Sequence, residues 1–340
     1  MIRKNISKVL KLLFSISIIY ILIQYNIINI NDIALLTKNY TLVLYSLIIF
    51  FTTIIFASLK WWLLLISANY NIPFLMAYYL YSTGLFFNNF MPGGTGGDII
   101  KGVYLYKFVA KSQRTGALFT IIIDRIIGLH ALTIIALSSY FLLIKNIYFE
   151  LNFSFIFIII ISIFSIPIIF YTIMFIEKIL KYIILKNSNI AIIIKLANIF
   201  SKLLIAFENY KNKKLYLFSC WIISIINHLL TLSCFYIVTI ILDINMLDVF
   251  EVIYAGSFSL LANFIPLTPG GIGIGEGAFN YFAESLHGNN LNNIAYGSIF
   301  FLAFRVLFTF ITLTGVISYI LLDKPSSKYN NKDINNENTT

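Results

Sequence analysis

The chain has 340 residues, is 59% hydrophobic and only 11% charged, and its mean hydropathy of +0.88 lies far above that of a water-soluble domain. The formal net charge of +10 must then be read from where the basic residues sit, because beside apolar spans they mark a membrane face and not a nucleic-acid surface. Cys220 and Cys234 fall on one predicted helix roughly 21 Å apart, beyond disulfide reach, and His130, His228 and His287 stand at no metal-ligand spacing, so no metal or other cofactor is expected.

The start, MIRKNISKVLK before LLFSISIIYILI, has the form of a secretory leader without a small-x-small cleavage site, so an uncleaved first span is expected at about 9–30. A second span follows at about 41–66, with Lys60 toward the end expected inside the cell. Segment 74–90 is apolar and, like 249–265, is either a re-entrant element or, on a competing count, a full span, which would put the basic stretch 101–114 on the side opposite the N-terminal cluster. Span 3 (about 115–144) carries Asp124 and Arg125, and span 4 covers about 151–174. The stretch 175–214 is apolar and basic together and is expected to lie on the inner interface as a linker. Span 5 (about 215–242), a second re-entrant segment (249–265) and span 6 (about 292–322, with Arg305) complete the membrane part, and 324–340 is a polar tail expected to be disordered.

Of the 24 Lys and Arg, 19 fall in four clusters at 3–11, 101–114, 178–214 and 324–332. All four share one side if segments 74–90 and 249–265 enter and leave by the same face, and the positive-inside tendency then makes that side cytoplasmic. This predicts an all-α, multi-pass protein of the inner (plasma) membrane with both termini in the cytoplasm. It has six full spans plus two re-entrant segments, in a first repeat (1–145) and a second (146–323).

The repeat is visible in the residues themselves. Segment 81–98 (YSTGLFFNNFMPGGTGGD) and segment 254–276 (YAGSFSLLANFIPLTPGGIGIGE) match in order: a Tyr, small residues, Asn-Phe-x-Pro, Pro-Gly-Gly, a further glycine and one acid. Arg125 follows Asp98 by 27 residues and Arg305 follows Glu276 by 29. Three crossings per half is an odd number, so the halves must be inverted, and inverted repeats with broken helices point to a transporter with a midplane site.

Pro92, Pro266 and Pro269 cannot continue a helix, and Gly93, Gly94, Gly97, Gly270, Gly271 and Gly273 free the backbone beside them. Amides and carbonyls freed in hydrocarbon must be buried in protein or line a wet cavity. Glycine-rich turns at helix N-termini also suit an anion such as phosphate. No strand precedes either loop and no Walker Lys-Ser pair follows, so neither reads as a nucleotide site. Asp124 and Arg125 lie roughly 14 Å into span 3 and Arg305 roughly 20 Å into span 6, where a charge is costly and is paired, functional or both. Adjacent helix positions face apart, so Asp124 and Arg125 should have different partners. Asp98 and Glu276 are the candidates for the two arginines. The candidate substrate contacts are these charges and loop residues with Asn89 and Asn263, and no catalytic residue is expected.

Taken together, NNFMPGGTGGDIIKG, DRIIGL, NFIPLTPGGIGIGEGAF and FRVLF resemble the lysylphosphatidylglycerol synthase transmembrane domain, or flippase-like, family over roughly residues 8–322. The resemblance implies a membrane protein that moves or presents a phospholipid or polyprenyl-phosphate-linked lipid between leaflets, with membrane lipids, and a lipid-modifying membrane enzyme, as partners. The sequence stops about 18 residues after span 6, so the soluble lysyltransferase domain of bifunctional members is not expected here. The alternatives are a membrane-embedded transferase of lysylphosphatidylglycerol synthase or glycosyltransferase type, or an accessory subunit of one. A glycosyltransferase needs an external acidic pair, and Asp32, Asp243, Asp248 and Glu251 form no DxD.

Overall fold

A computed structural model describes residues 39–89, 96–110, 113–143, 175–176, 178–179, 201, 210, 212–242, 247–264, 273–287 and 295–322. The expected spans 1 and 4, most of the interfacial linker, the two Pro-Gly-Gly turns and the tail lie outside them. The described residues are all-helical, in the order α1 (Tyr40–Ser67), α2 (Phe74–Asn88), α3 (Gly96–Leu105), α4 (Arg114–Leu143), α5 (Lys214–Ile241), α6 (Val249–Ala262), α7 (Ile274–His287), α8 (Ala295–Thr312) and α9 (Thr314–Leu321).

Four segments are long and apolar enough to cross a bilayer: α1, α4, α5 and Phe300–Leu321, which joins α8 to α9. They correspond to the expected spans 2, 3, 5 and 6. Several of their hydroxyls are satisfied within the helix, as where Ser46, Thr53 and Ser58 donate to carbonyls three or four residues back, so these can sit in an apolar medium at little cost. Helix α1 is started by Asn39, whose side chain accepts from the Leu42 amide. It is stopped at Asn69, a residue type that tolerates the left-handed φ of 65° found there.

Helices α2 and α3 form one hairpin and α6 and α7 another. Their arms have 15, 10, 14 and 14 residues, or about 15–22 Å each, short of the ~30 Å hydrocarbon core. In the first hairpin Gly84 and Gly97 meet backbone to backbone, and the Gly97 amide donates to Asn88 Oδ1 at 2.7 Å. In the second, Phe258 stacks on Phe282 with ring centroids 4.5 Å apart and Tyr254 meets Ser285. The capping box of Asp248 and Glu251 fixes where α6 begins.

The described parts of the two halves thus share one element order: a long helix, a hairpin, a long helix. They are also interleaved. The two first long helices, α1 and α5, pack on each other, and each hairpin's first arm packs on the last long segment of the other half, α2 on α9 and α6 on α4. Ser82 donates to Ser318 across the first of these contacts at 2.6 Å, and Gly315 lets the backbones close there. One apolar core gathers around Phe235 and a second around Trp61, both fully buried.

Candidate functional site

Asp98 lies in the first turn of α3, where the helix dipole favours an acid, and the Gly97–Asn88 bond ties that turn to α2. Arg125, on α4, donates Nε to Asp98 Oδ2 at 2.6 Å. In the second half Glu276 occupies the first turn of α7. Its Oε2 accepts from the Gly273 amide at 2.8 Å, where Gly273 takes a φ of 85° that a side chain resists, and its Oε1 receives Arg305 at 3.0 Å. Each arginine therefore meets the acid that the repeat pairs with it.

Asp124 and Arg125 do have different partners. Asp124 meets Lys60 Nζ at 3.1 Å and Lys101 Nζ at 3.9 Å, and Lys60 also donates to the Asp124 carbonyl at 3.2 Å. Lys101 reaches Asp98 at 3.4 Å and lies over the rings of Trp61 and Tyr81 at 4.4 and 4.5 Å. Lys60, Lys101 and Asp124 are 6, 2 and 3% exposed. Lys60 and Lys101, both counted among the charges that set the sidedness, are thus buried and ion-paired. Both turn inward because the short α3 brings Asp98 beside α4, and a buried carboxylate needs a cation more than the membrane interface does.

The second half has no such network. Counting from the paired acids and arginines, Lys101 corresponds to Phe279 and Asp124 to Phe304. Those two rings pack against Phe235 of α5, the counterpart of α1, with centroids 6.1 and 3.8 Å away. Two charges in one half, Lys101 and Asp124, stand where the other half has phenylalanines.

A cavity of about 300 Å³ lies among these charges, its lining including Lys60, Asp98, Lys101, Asp124, Arg125 and Arg305 but not Glu276. Both halves contribute, and Arg125 of the first faces Phe264 of the second. Asn89 and Asn263, at the ends of α2 and α6, line it too, with Asn89 donating to Thr312 Oγ1. The side-chain oxygens of Asn227 and Asn263 are buried and accept no hydrogen bond among the described residues. Of the residues expected at the site, Asn89, Gly97, Asp98, Asp124, Arg125, Asn263, Gly273, Glu276 and Arg305 are described. Pro92, Gly93, Gly94, Pro266, Pro269, Gly270 and Gly271 are not. Lys60, Lys101, Asn227 and His228 also line the cavity, beyond that expectation. Among the described residues no group of His, Cys, Asp and Glu could hold a metal ion.

Residues 8–317 match the family model of the lysylphosphatidylglycerol synthase TM region. No curated protein and no solved structure matches the chain.

Proposed function

The chain belongs to the lysylphosphatidylglycerol synthase TM region family, and from that premise we propose that it is a flippase-like transporter that carries a phospholipid or polyprenyl-phosphate-linked lipid between leaflets. The observation that carries this reading is the convergence of Arg125 and Arg305, one from each half, on a single polar cavity inside an otherwise apolar helical body. Charges at such a place are costly unless paired or used. Each arginine is held ready by a carboxylate that a lipid phosphate can displace, and a planar guanidinium binds phosphate through two parallel hydrogen bonds. A volume of about 300 Å³ is at the small end of ligand sites and suits a head group, leaving the acyl chains in the bilayer.

In this reading the two hairpins are re-entrant, the halves are inverted, and alternate exposure of the cavity comes from rocking one half against the other. The termini lie in the cytoplasm of a cell whose inner membrane holds the protein. Movement down a gradient needs no energy source. The test is reconstitution in liposomes containing fluorescent lipids of different head groups, with the outer-leaflet fraction read by chemical quenching. Protein-dependent exchange supports the transporter. Leaflet residence identical to protein-free liposomes for every phospholipid and polyprenyl phosphate rejects it, and a covalently altered lipid in the same vesicles would identify a transferase instead.

A further inference from the structure

We propose that Lys101 is a positioning residue of the cavity: it holds Asp98 when an incoming lipid phosphate takes Arg125, so that the displaced carboxylate is never left as a lone buried charge. This rests on the reading of the cavity as a site for a lipid phosphate.

Asp98 bridges two cations with different oxygens. Its Oδ2 accepts from Arg125 Nε at 2.6 Å, and its Oδ1 lies 3.4 Å from Lys101 Nζ. The two cations differ in what can reach them. The side chain of Arg125 is 33% exposed and that of Asp98 18%, whereas that of Lys101 is 2% exposed. An anion in the cavity can therefore approach Arg125 but finds almost no surface of Lys101 to contact. Pulling Asp98 off Arg125 with nothing on its other oxygen would strand a carboxylate in a low-dielectric interior, and that cost would oppose the binding that caused it. With Lys101 in place the carboxylate keeps one cation throughout, and Arg125 exchanges one anionic partner for another.

Four helices keep Lys101 at this post. It rises from α3 three residues after Asp98, on the same helix face. Its ammonium lies 4.4 Å from the ring centroid of Trp61 on α1 and 4.5 Å from that of Tyr81 on α2, with Asp124 of α4 at 3.9 Å. The Trp61 ring is itself fixed, its Nε1 donating to Thr120 Oγ1 at 3.1 Å, and a cation over an aromatic face is held more firmly where water is excluded. Asp124 has a nearer cation in Lys60, at 3.1 Å, which leaves Lys101 to serve Asp98.

Packing does not require a lysine here. The second half puts Phe279 at the corresponding position, and Glu276 steadies its second oxygen on the Gly273 amide at 2.8 Å. A neutral amide orients a carboxylate without neutralising it. A buried ammonium beside Asp98 is costly to place, and it is accounted for by what happens to that acid when Arg125 is engaged.

The experiment is a double-mutant cycle on the full chain in detergent, measuring binding of dihexanoyl phosphatidylglycerol to wild type, Lys101→Met, Asp98→Asn and the double variant. With Asp98 present, Lys101→Met should weaken binding at least about tenfold; in the Asp98→Asn background, where no carboxylate has to be received, the same change should alter it less than about twofold. A lysine that touched the phosphate, or one that only held the fold, would weaken binding in both backgrounds, and that result overturns the proposal, as does full affinity in Lys101→Met. A second readout does not need Lys101→Met to fold. In a Trp62→Phe, Trp221→Phe background, the lipid should shift the emission of Trp61 as Lys101 tightens on Asp98, and Asp98→Asn should abolish the shift; no shift, or one of unchanged size in Asp98→Asn, overturns the proposal. Binding that follows the cycle without lipid exchange in liposomes overturns transport alone, and exchange at the wild-type rate in Lys101→Met overturns the role of Lys101 alone.

Discussion

A methyl group added at Gly97 should separate the first hairpin at the point where it presents Asp98. The built Cβ would collide with the Gly84 carbonyl oxygen and stand 2.6 Å from Asn88 Oδ1, and neither obstacle is the movable end of a long side chain. Forcing the arms apart costs about 1–3 kcal/mol as overpacking, and stretching the 2.7 Å bond from the Gly97 amide to Asn88 loses about 1 kcal/mol more. Gly97→Ala is thus expected to destabilise by about 2–4 kcal/mol and to shift Asp98 away from Arg125. Gly84→Ala should cost less, because its Cβ would lie 3.1 Å from the Gly97 oxygen. Gly277→Ala, with nothing within 4 Å of its Cβ, should be neutral or gain up to about 1 kcal/mol from helix propensity. The assay is the fraction of monodisperse protein surviving a heating series in detergent, read by size-exclusion chromatography. Equal survival of all three variants would refute the close backbone contact.

Lys60→Met leaves buried Asp124 without its nearest cation at 3.1 Å, so a loss of about 3–5 kcal/mol is expected, and the double variant Lys60→Met, Asp124→Leu should recover most of the yield; no recovery would mean that Lys60 acts outside this pair. In a background without Cys220 and Cys234, both buried, cysteines at Leu36 and Asn189 should label with an impermeant reagent from opposite sides of the membrane, and labelling from one side would exclude the six-span count. Cysteines at Thr95 and Ile274 should likewise report the inner and outer faces, and the reverse result would make the hairpins part of full crossings.

The pairs Asp98–Arg125 and Glu276–Arg305 were legible because spacing and residue order recur in the two halves, and a charge within an apolar span must find a partner. The helical class and the long helices α1, α4, α5 and α8–α9 followed from apolar run lengths. The pairing of Lys60 with Asp124 was not legible, because basic residues near span ends usually mark the interface, although Lys60 is the only charge between residues 40 and 66. Lys101 was absorbed into a basic run, although it stands three residues after Asp98 on one helix face, a spacing that pairs charges. The exchange of Lys101 and Asp124 for Phe279 and Phe304 could not be read in advance, since only the paired acids and arginines, once in contact, fix the register between halves. The crossed packing of α2 on α9 and α6 on α4 depends on contacts between distant segments and left no local trace.

The central claim, that a lipid phosphate displaces a carboxylate from Arg125 and Arg305 during transfer, is tested most directly by lipid exchange in liposomes holding the Arg125→Lys and Arg305→Lys proteins. Lysine keeps the charge and the ion pair but lacks the two-pronged geometry for phosphate. Well-folded Lys variants should therefore lose exchange while wild-type protein supports it. Exchange at the wild-type rate in both variants would remove the arginines from the mechanism and contradict the account.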